Sequence, residues 1–175
     1  TIFDHLIFME KTKRLYMITG TSSGLGEAFA DLVLSHEPEC HVFGWSRRSK
    51  NFGERYTNQS VDLSSHEQLG NLEWPSAKGF EEVVFVSNAA TIGEVKPIGT
   101  LDSKQLESDL FLNTTAPLML MNSFYEFYQG ENCSKQILNI SSGAANYAIG
   151  SWSMYCGSKA ALNAFSEVFD QELRS

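Results

Sequence analysis

The sequence predicts an α/β fold with a doubly wound parallel sheet. Three observations point there. Short apolar runs alternate with segments of helical periodicity in five successive units. The first run, Leu15-Tyr-Met-Ile18, passes through a glycine-rich turn, Thr19-Gly-Thr-Ser-Ser-Gly-Leu-Gly26, straight into a helical pattern. The 175 residues are 42% hydrophobic, enough to bury one core.

The elements follow in order. A buried parallel strand is expected at 14–19. A helix follows at 24–35, where Leu25, Ala28, Phe29, Leu32 and Val33 recur at helical spacing. Strands are expected at 41–46 and 57–62, then a helix at 65–72 and a strand at 82–87. Helices at 102–112 and 114–129 precede a strand at 136–141, and a helix at 152–173 ends the chain. Pro117 falls in the first turn of its helix, where a missing N–H costs little, and Thr114 or Asn113 could cap that helix. A ligand crevice belongs outside the carboxyl ends of such strands. A full fold of this kind has about six strands. The sequence therefore reads as part of a longer protein, with its C-terminal strands missing and the edge of the fifth strand open.

The glycine turn carries Gly20, Gly24 and Gly26 in the pattern G-x-x-x-G-x-G. A strand, a glycine turn and a helix N-terminus together form an anion site suited to a pyrophosphate. After the second strand comes Ser46-Arg47-Arg48. A carboxylate at this strand end would bind a ribose 2′-hydroxyl and repel a 2′-phosphate. Serine followed by two arginines instead suits the phosphate, since guanidinium binds it in a forked, charge-assisted way. The expected cofactor is NADP (NADPH), with Arg47 the better candidate; Arg48 also reads as a solvated loop residue.

Tyr155 and Lys159 stand four apart, so on a helix they share a face. A free phenol titrates near pH 10, too high for a good proton donor or base at neutral pH. An ammonium one turn away favours the phenolate. Ser142, brought in from a strand end, can hydrogen-bond a substrate carbonyl oxygen. These groups could deliver a proton to a ketone while a cofactor delivers hydride. Ala144, Tyr147, Ile149 and Trp152 suit a bulky ketone or diketone; Tyr147 and Trp152 could equally pack on the sheet.

Thr19-Gly-Thr-Ser-Ser-Gly-Leu-Gly26, Ser87-Asn-Ala-Ala90, Asn113, Asn139-Ile-Ser-Ser142 and Tyr155-Cys-Gly-Ser-Lys159 resemble the short-chain dehydrogenase/reductase family. Within it, the run from Asn139 to Lys159 is most similar to benzil reductases and sepiapterin reductases. The resemblance implies a Rossmann fold and an NADP-dependent carbonyl reductase. Ser142 would orient the carbonyl, and Tyr155 would act as general acid in reduction. Lys159 would hold the nicotinamide ribose. Asn113 would kink its helix and carry a water in the proton relay. Gly20, Ser22, Ser23, Gly24, Leu25 and Gly26 would meet the cofactor. Asp62, with Leu63, would meet the adenine, and Asn88, with Ala89, would lie beside the adenosine ribose. Ala90 departs from the family's usual glycine and narrows the groove.

Composition excludes other classes. The formal charge of −8 argues against general nucleic-acid binding. Cys40, Cys133 and Cys156 are scattered, without metal or disulfide spacing, which fits a reducing, cytoplasmic setting. Residues 1–9 are too short to span a membrane and lack a signal peptide's basic front; residues 1–8 read as a non-native or extra segment before a domain over 9–175. Apolar residues on more than one face of the 114–129 and 152–173 helices suggest a homodimer or homotetramer. Two other readings remain: a dinucleotide-binding sensor or scaffold without turnover, and a dehydratase or epimerase using the same Tyr/Lys pair.

Overall fold

Strand β1 (Arg14–Thr19) is the middle of the sheet, and its sequence says why: five of its six residues are buried, apolar save Thr19. The computed structural model describes residues 12–174, so the separate reading of residues 1–8 lies outside the described residues. Beside β1 lie β2 (His41–Ser46) and then β3 (Tyr56–Ser60) on one side, and β4 (Glu82–Ser87) and then β5 (Ser134–Asn139) on the other. The order is β3-β2-β1-β4-β5, and each neighbouring pair is parallel. After β3 the chain returns across β1 to start β4. That reversal opens a crevice at the carboxyl ends of β1 and β4.

Alternate side chains of β1 serve opposite faces. Leu15 and Met17 join a core with Trp45, Phe85, Phe124 and Tyr128. Tyr16 and Ile18 join a second core with Ala30, Val33, Val42 and Val84. Helix α1 (Gly24–His36) covers the second face, and α4 (Ala116–Tyr128) covers the first. The remaining helices are α2 (His66–Gly70), α3 (Ser103–Leu110) and the long α5 (Ser153–Arg174). Among the described residues, no helix is long and apolar enough to cross a membrane.

Several boundaries differ from expectation, among them three with a visible cause. β3 stops at Ser60, two residues early, because the Asp62 carboxylate turns back to accept from the Ser64 amide (3.0 Å) and hydroxyl (2.7 Å). β5 begins at Ser134, whose amide donates to Glu81 O, and ends at Asn139; Ser142 then caps a short 3₁₀ turn at Gly143–Ala145. Neither Thr114 nor Asn113 caps α4. The chain runs from α3 into α4 through a π turn, Phe111–Thr115, closed by a bond from the Ala116 amide to Phe111 O. Thr114 bonds back to Leu110 O, and Asn113 is engaged elsewhere.

Candidate active site

The glycine turn sits at the carboxyl end of β1. Gly20 and Gly24 adopt φ of +77° and +63°, which favours glycine. Gly26 is needed for space: a β-carbon there would strike the Asn88 side-chain amide and lie 2.5 Å from Gly20 O. Asn88 fills that gap and donates to Thr19 O at 2.9 Å. Thr19 Oγ1 in turn accepts from the amides of Asn88 (2.8 Å) and Ala89 (2.9 Å). The missing side chains of Gly20 and Gly26 thus let β4's loop lock onto the turn, while Gly24 has open space around it. Ser23, the residue before α1, makes no side-chain cap, whereas Ser65 and Asp102 cap α2 and α3. The first amides of α1 are left for an anion, so the residues present fit a dinucleotide pyrophosphate.

A groove of about 310 Å³ runs from this turn to the end of β2. Gly20, Ser22, Ser23 and Leu25 form one wall, and Ser46, Arg47 and Arg48 form the far end. Asp62 and Leu63 close one side, and Asn88 and Ala89 the other. Gly24 and Gly26 shape the turn without lining the groove. The exposed arginines stand above a buried Ser46, whose hydroxyl points inward and donates to Arg48 O at 2.8 Å. Ser46 therefore lines the groove while its proton helps to shape the arginine loop. Ser60 Oγ donates to Arg47 O at 3.1 Å, so two serines hold the carbonyls of the arginine pair. Ser64's hydroxyl bond holds the Asp62 carboxyl below the usual carboxylate range, helped by its amide and by Arg47.

Tyr155 and Lys159 lie on the first turns of α5. Lys159 is 3% exposed, yet its ammonium has no carboxylate partner among the described residues. It donates to Ile140 O at 2.7 Å, just past β5, and stands 5.9 Å from the Tyr155 ring centroid. Burial pulls its pKa below the ordinary lysine value. Ser142 is half-buried; its oxygen accepts from the Ala144 amide at 3.2 Å, and the 3₁₀ turn it opens packs against α5.

Asn113 sits in the π turn and is 1% exposed. Its oxygen accepts from the Thr91 amide (2.9 Å), and its nitrogen donates to Thr91 O (2.7 Å) and Ser158 Oγ (3.1 Å). Ser158 donates on to Tyr155 O at 2.9 Å. Asn113 therefore pins the helix carrying Tyr155 and Lys159 to the loop after β4. Both side-chain N–H groups are engaged by protein, and the π turn leaves the local backbone with altered bonding. The sequence reading did not single out Thr91 or Ser158. Ser158 had a signal: it precedes Lys159 and stands three residues after Tyr155, on the face between them.

Tyr147 and Ile149 are exposed, and Ala144 is buried. Tyr147 at 73% exposure is not packed on the sheet. Trp152 is half-buried and meets Tyr155 edge to face, centroids 5.7 Å apart. A buried cation thus stands beside a phenol with an aromatic neighbour, while the anion groove is lined by other residues, from the glycine turn to the end of β2.

A family model described as short chain dehydrogenase matches residues 14–175. The chain is 32% identical to a benzil reductase ((S)-benzoin forming) of Bacillus cereus, over 88% of this chain and 66% of that protein. It is 26% identical to the sepiapterin reductase of Bos taurus, over 91% of this chain and 68% of the relative. Among solved structures, a short-chain dehydrogenase/reductase from Burkholderia vietnamiensis superposes with a TM-score of 0.80 at 26% identity, covering 91% of this chain and 77% of that one. The chain spans about two thirds of the length of the curated relatives it matches.

Proposed function

The chain belongs to the short-chain dehydrogenase family, and from that premise we propose that the protein reduces a ketone or diketone to an alcohol with NADPH. The observation that carries this reading is Lys159: a nearly buried ammonium held by one backbone carbonyl beside the Tyr155 ring. The cofactor, when bound, supplies the hydride. Tyr155 donates the proton to the carbonyl oxygen. Lys159 favours the charge that develops on the phenol oxygen, and Ser142 orients the carbonyl. Asn113 and Ser158 keep the tyrosine helix in register. Arg47 and Arg48 receive the 2′-phosphate, and Trp152 and Tyr147 suit an aromatic substrate. The exposed Leu118 and Val168 on α4 and α5 support pairing with a second copy.

The test follows NADPH oxidation with an aromatic diketone in the protein that carries this chain. Tyr155→Phe keeps the ring, so NADPH should still bind while turnover falls by about 10²–10⁴-fold. Near wild-type turnover in that variant would mean that the phenol is structural. Arg47→Ala should weaken NADPH about tenfold or more and spare NADH, since charge-assisted bonds are the strong ones.

A further inference from the structure

Among the described residues, Ser151 is the one residue other than glycine with a left-handed φ, +68°. The chain turns there over 149–152, just before the helix that carries Tyr155, and the Trp152 amide closes the turn by donating to Ile149 O at 3.1 Å. A turn with positive φ at its third residue favours glycine in that place. Here the glycine stands one place early: Gly150 is the second residue, and its φ is not positive. Ser151 therefore carries a backbone strain that a glycine would avoid.

The turn fixes Trp152. Its amide is tied back to Ile149, and its carbonyl accepts from the Cys156 amide at 2.8 Å, the bond that opens α5. From that backbone the indole meets the Tyr155 ring edge to face, with the planes at 78°. Tyr155 is held otherwise through its carbonyl, which accepts from Ser158. That bond fixes the helix and leaves the tyrosine side-chain torsion open, and the torsion decides where the phenol goes. Contacts on the ring must settle it. Among the described residues, Trp152 is the one aromatic ring against Tyr155, and the Lys159 ammonium is the cation near it.

We propose that Trp152 is a positioning residue for the proton donor: held by the Ser151 turn, its indole restrains the Tyr155 ring and keeps the phenol beside Lys159. The proposal rests on the reading of Tyr155 as proton donor. It gives the indole a task separate from contact with an aromatic substrate. A substrate wall acts on KM, whereas a restraint on the donor acts on kcat.

The experiment follows NADPH oxidation with an aromatic diketone in the protein that carries this chain, and measures NADPH affinity by fluorescence titration. It compares wild type, Trp152→Leu, Trp152→Phe, Tyr155→Phe and the double variant of Trp152→Leu with Tyr155→Phe. Trp152→Leu should lower kcat about three- to tenfold, the size of one aromatic pair, with KM and NADPH affinity unchanged. Trp152→Phe keeps a ring and should recover most of that loss. In the Tyr155→Phe background, Trp152→Leu should cost nothing further, since no phenol is left to place. Ser151→Gly takes the positive φ freely and should keep kcat. Ser151→Val, branched at its β-carbon, should lower kcat as Trp152→Leu does. A raised KM at unchanged kcat, or the same fold loss with and without the phenol, overturns the proposal and makes Trp152 a substrate wall. Equal losses in Ser151→Gly and Ser151→Val overturn it as well, by making the serine hydroxyl the active feature. Wild-type turnover in Tyr155→Phe overturns the proton-donor reading itself. A collapse of turnover in Tyr155→Phe beside full kcat in Trp152→Leu overturns only the role of Trp152. Should Trp152→Leu not fold, Ser151→Val decides alone: kcat falls if the turn holds the indole, and an unchanged kcat overturns the proposal.

Discussion

The two ends of the sheet both bury charge, and they treat it in opposite ways. At the amino end, Glu82 is 7% exposed and accepts from Arg14 Nε at 2.5 Å and from Gln136 at 2.6 Å. Arg14 reaches Glu37 as well, at 3.1 Å, and Glu37 accepts from the Tyr16 hydroxyl at 2.8 Å. Arg14, Glu37 and Glu82 each face an opposite charge. The Glu82 bond pushes the Arg14 pKa up, against the effect of burial. At the carboxyl end, Lys159 is buried more deeply, and neutral groups answer it: the Ile140 carbonyl and the Tyr155 ring. Its pKa moves down. A matched cluster closes the base of the fold. An unmatched ammonium costs the fold stability, and such a cost is found where chemistry needs it.

Replacing Lys159 should separate activity from stability most sharply. Lys159→Met is close in length and apolar. Turnover should fall by about 10²-fold or more, since general acid catalysis by the neighbouring phenol is worth that much. Resistance to urea should hold or rise, because trading a buried charge for a packed apolar group is often neutral or stabilising. A variant that unfolds readily would put Lys159 in the same class as Arg14 and end the contrast.

The mirror experiment is Glu82→Ala. It leaves donors on Arg14 and Gln136 without their shared acceptor. The loss should be about 1–3 kcal/mol in a urea titration, as for other buried polar groups left unpaired. NADPH affinity should not change, because β4's amino end lies at the far side of the sheet from the groove. Weaker cofactor binding at unchanged stability would show that the amino end also serves the site.

The contrast also explains what the sequence disclosed. Strand–helix alternation was legible because each strand is a local run, and β1 and β4 are buried almost throughout. Gly20, Gly24, Tyr155 and Lys159 were legible for the same reason, since turns and helix faces depend on near neighbours. The bonds that complete the site cross long stretches of chain. Asn113 meets Thr91 across 22 residues and Ser158 across 45, and Thr21 meets Tyr56 across 35. No local pattern marks such partners. Thr114 and Asn113 looked like helix caps because the sequence does not reveal that two helices run together through a π turn. That the Ser46 hydroxyl also reaches Arg48 O and the Asn58 oxygen of a neighbouring strand was hidden too, since Asn58 lies on another strand.

The smallest expected effect is the pH dependence of the difference between wild type and Lys159→Met. Burial holds the folded-state pKa of Lys159 below the ordinary lysine value of 10.5. Above 10.5 the lysine is neutral in both states, and wild type carries no charge-burial cost. As pH falls below that value, the unfolded chain takes up a proton before the folded one does, so wild-type stability drops. The loss is complete once pH is below the lowered folded-state pKa. Wild type should therefore gain on Lys159→Met as pH rises through the window between the two values. Using the difference matters, because burial raises the pKa of Tyr56 and Cys40, and these groups lower the stability of both proteins alike at alkaline pH. Paired urea titrations at several pH values would measure it. A flat difference would mean that the Lys159 charge is as well accommodated as that of Arg14, and the two ends of the sheet would then differ in position alone.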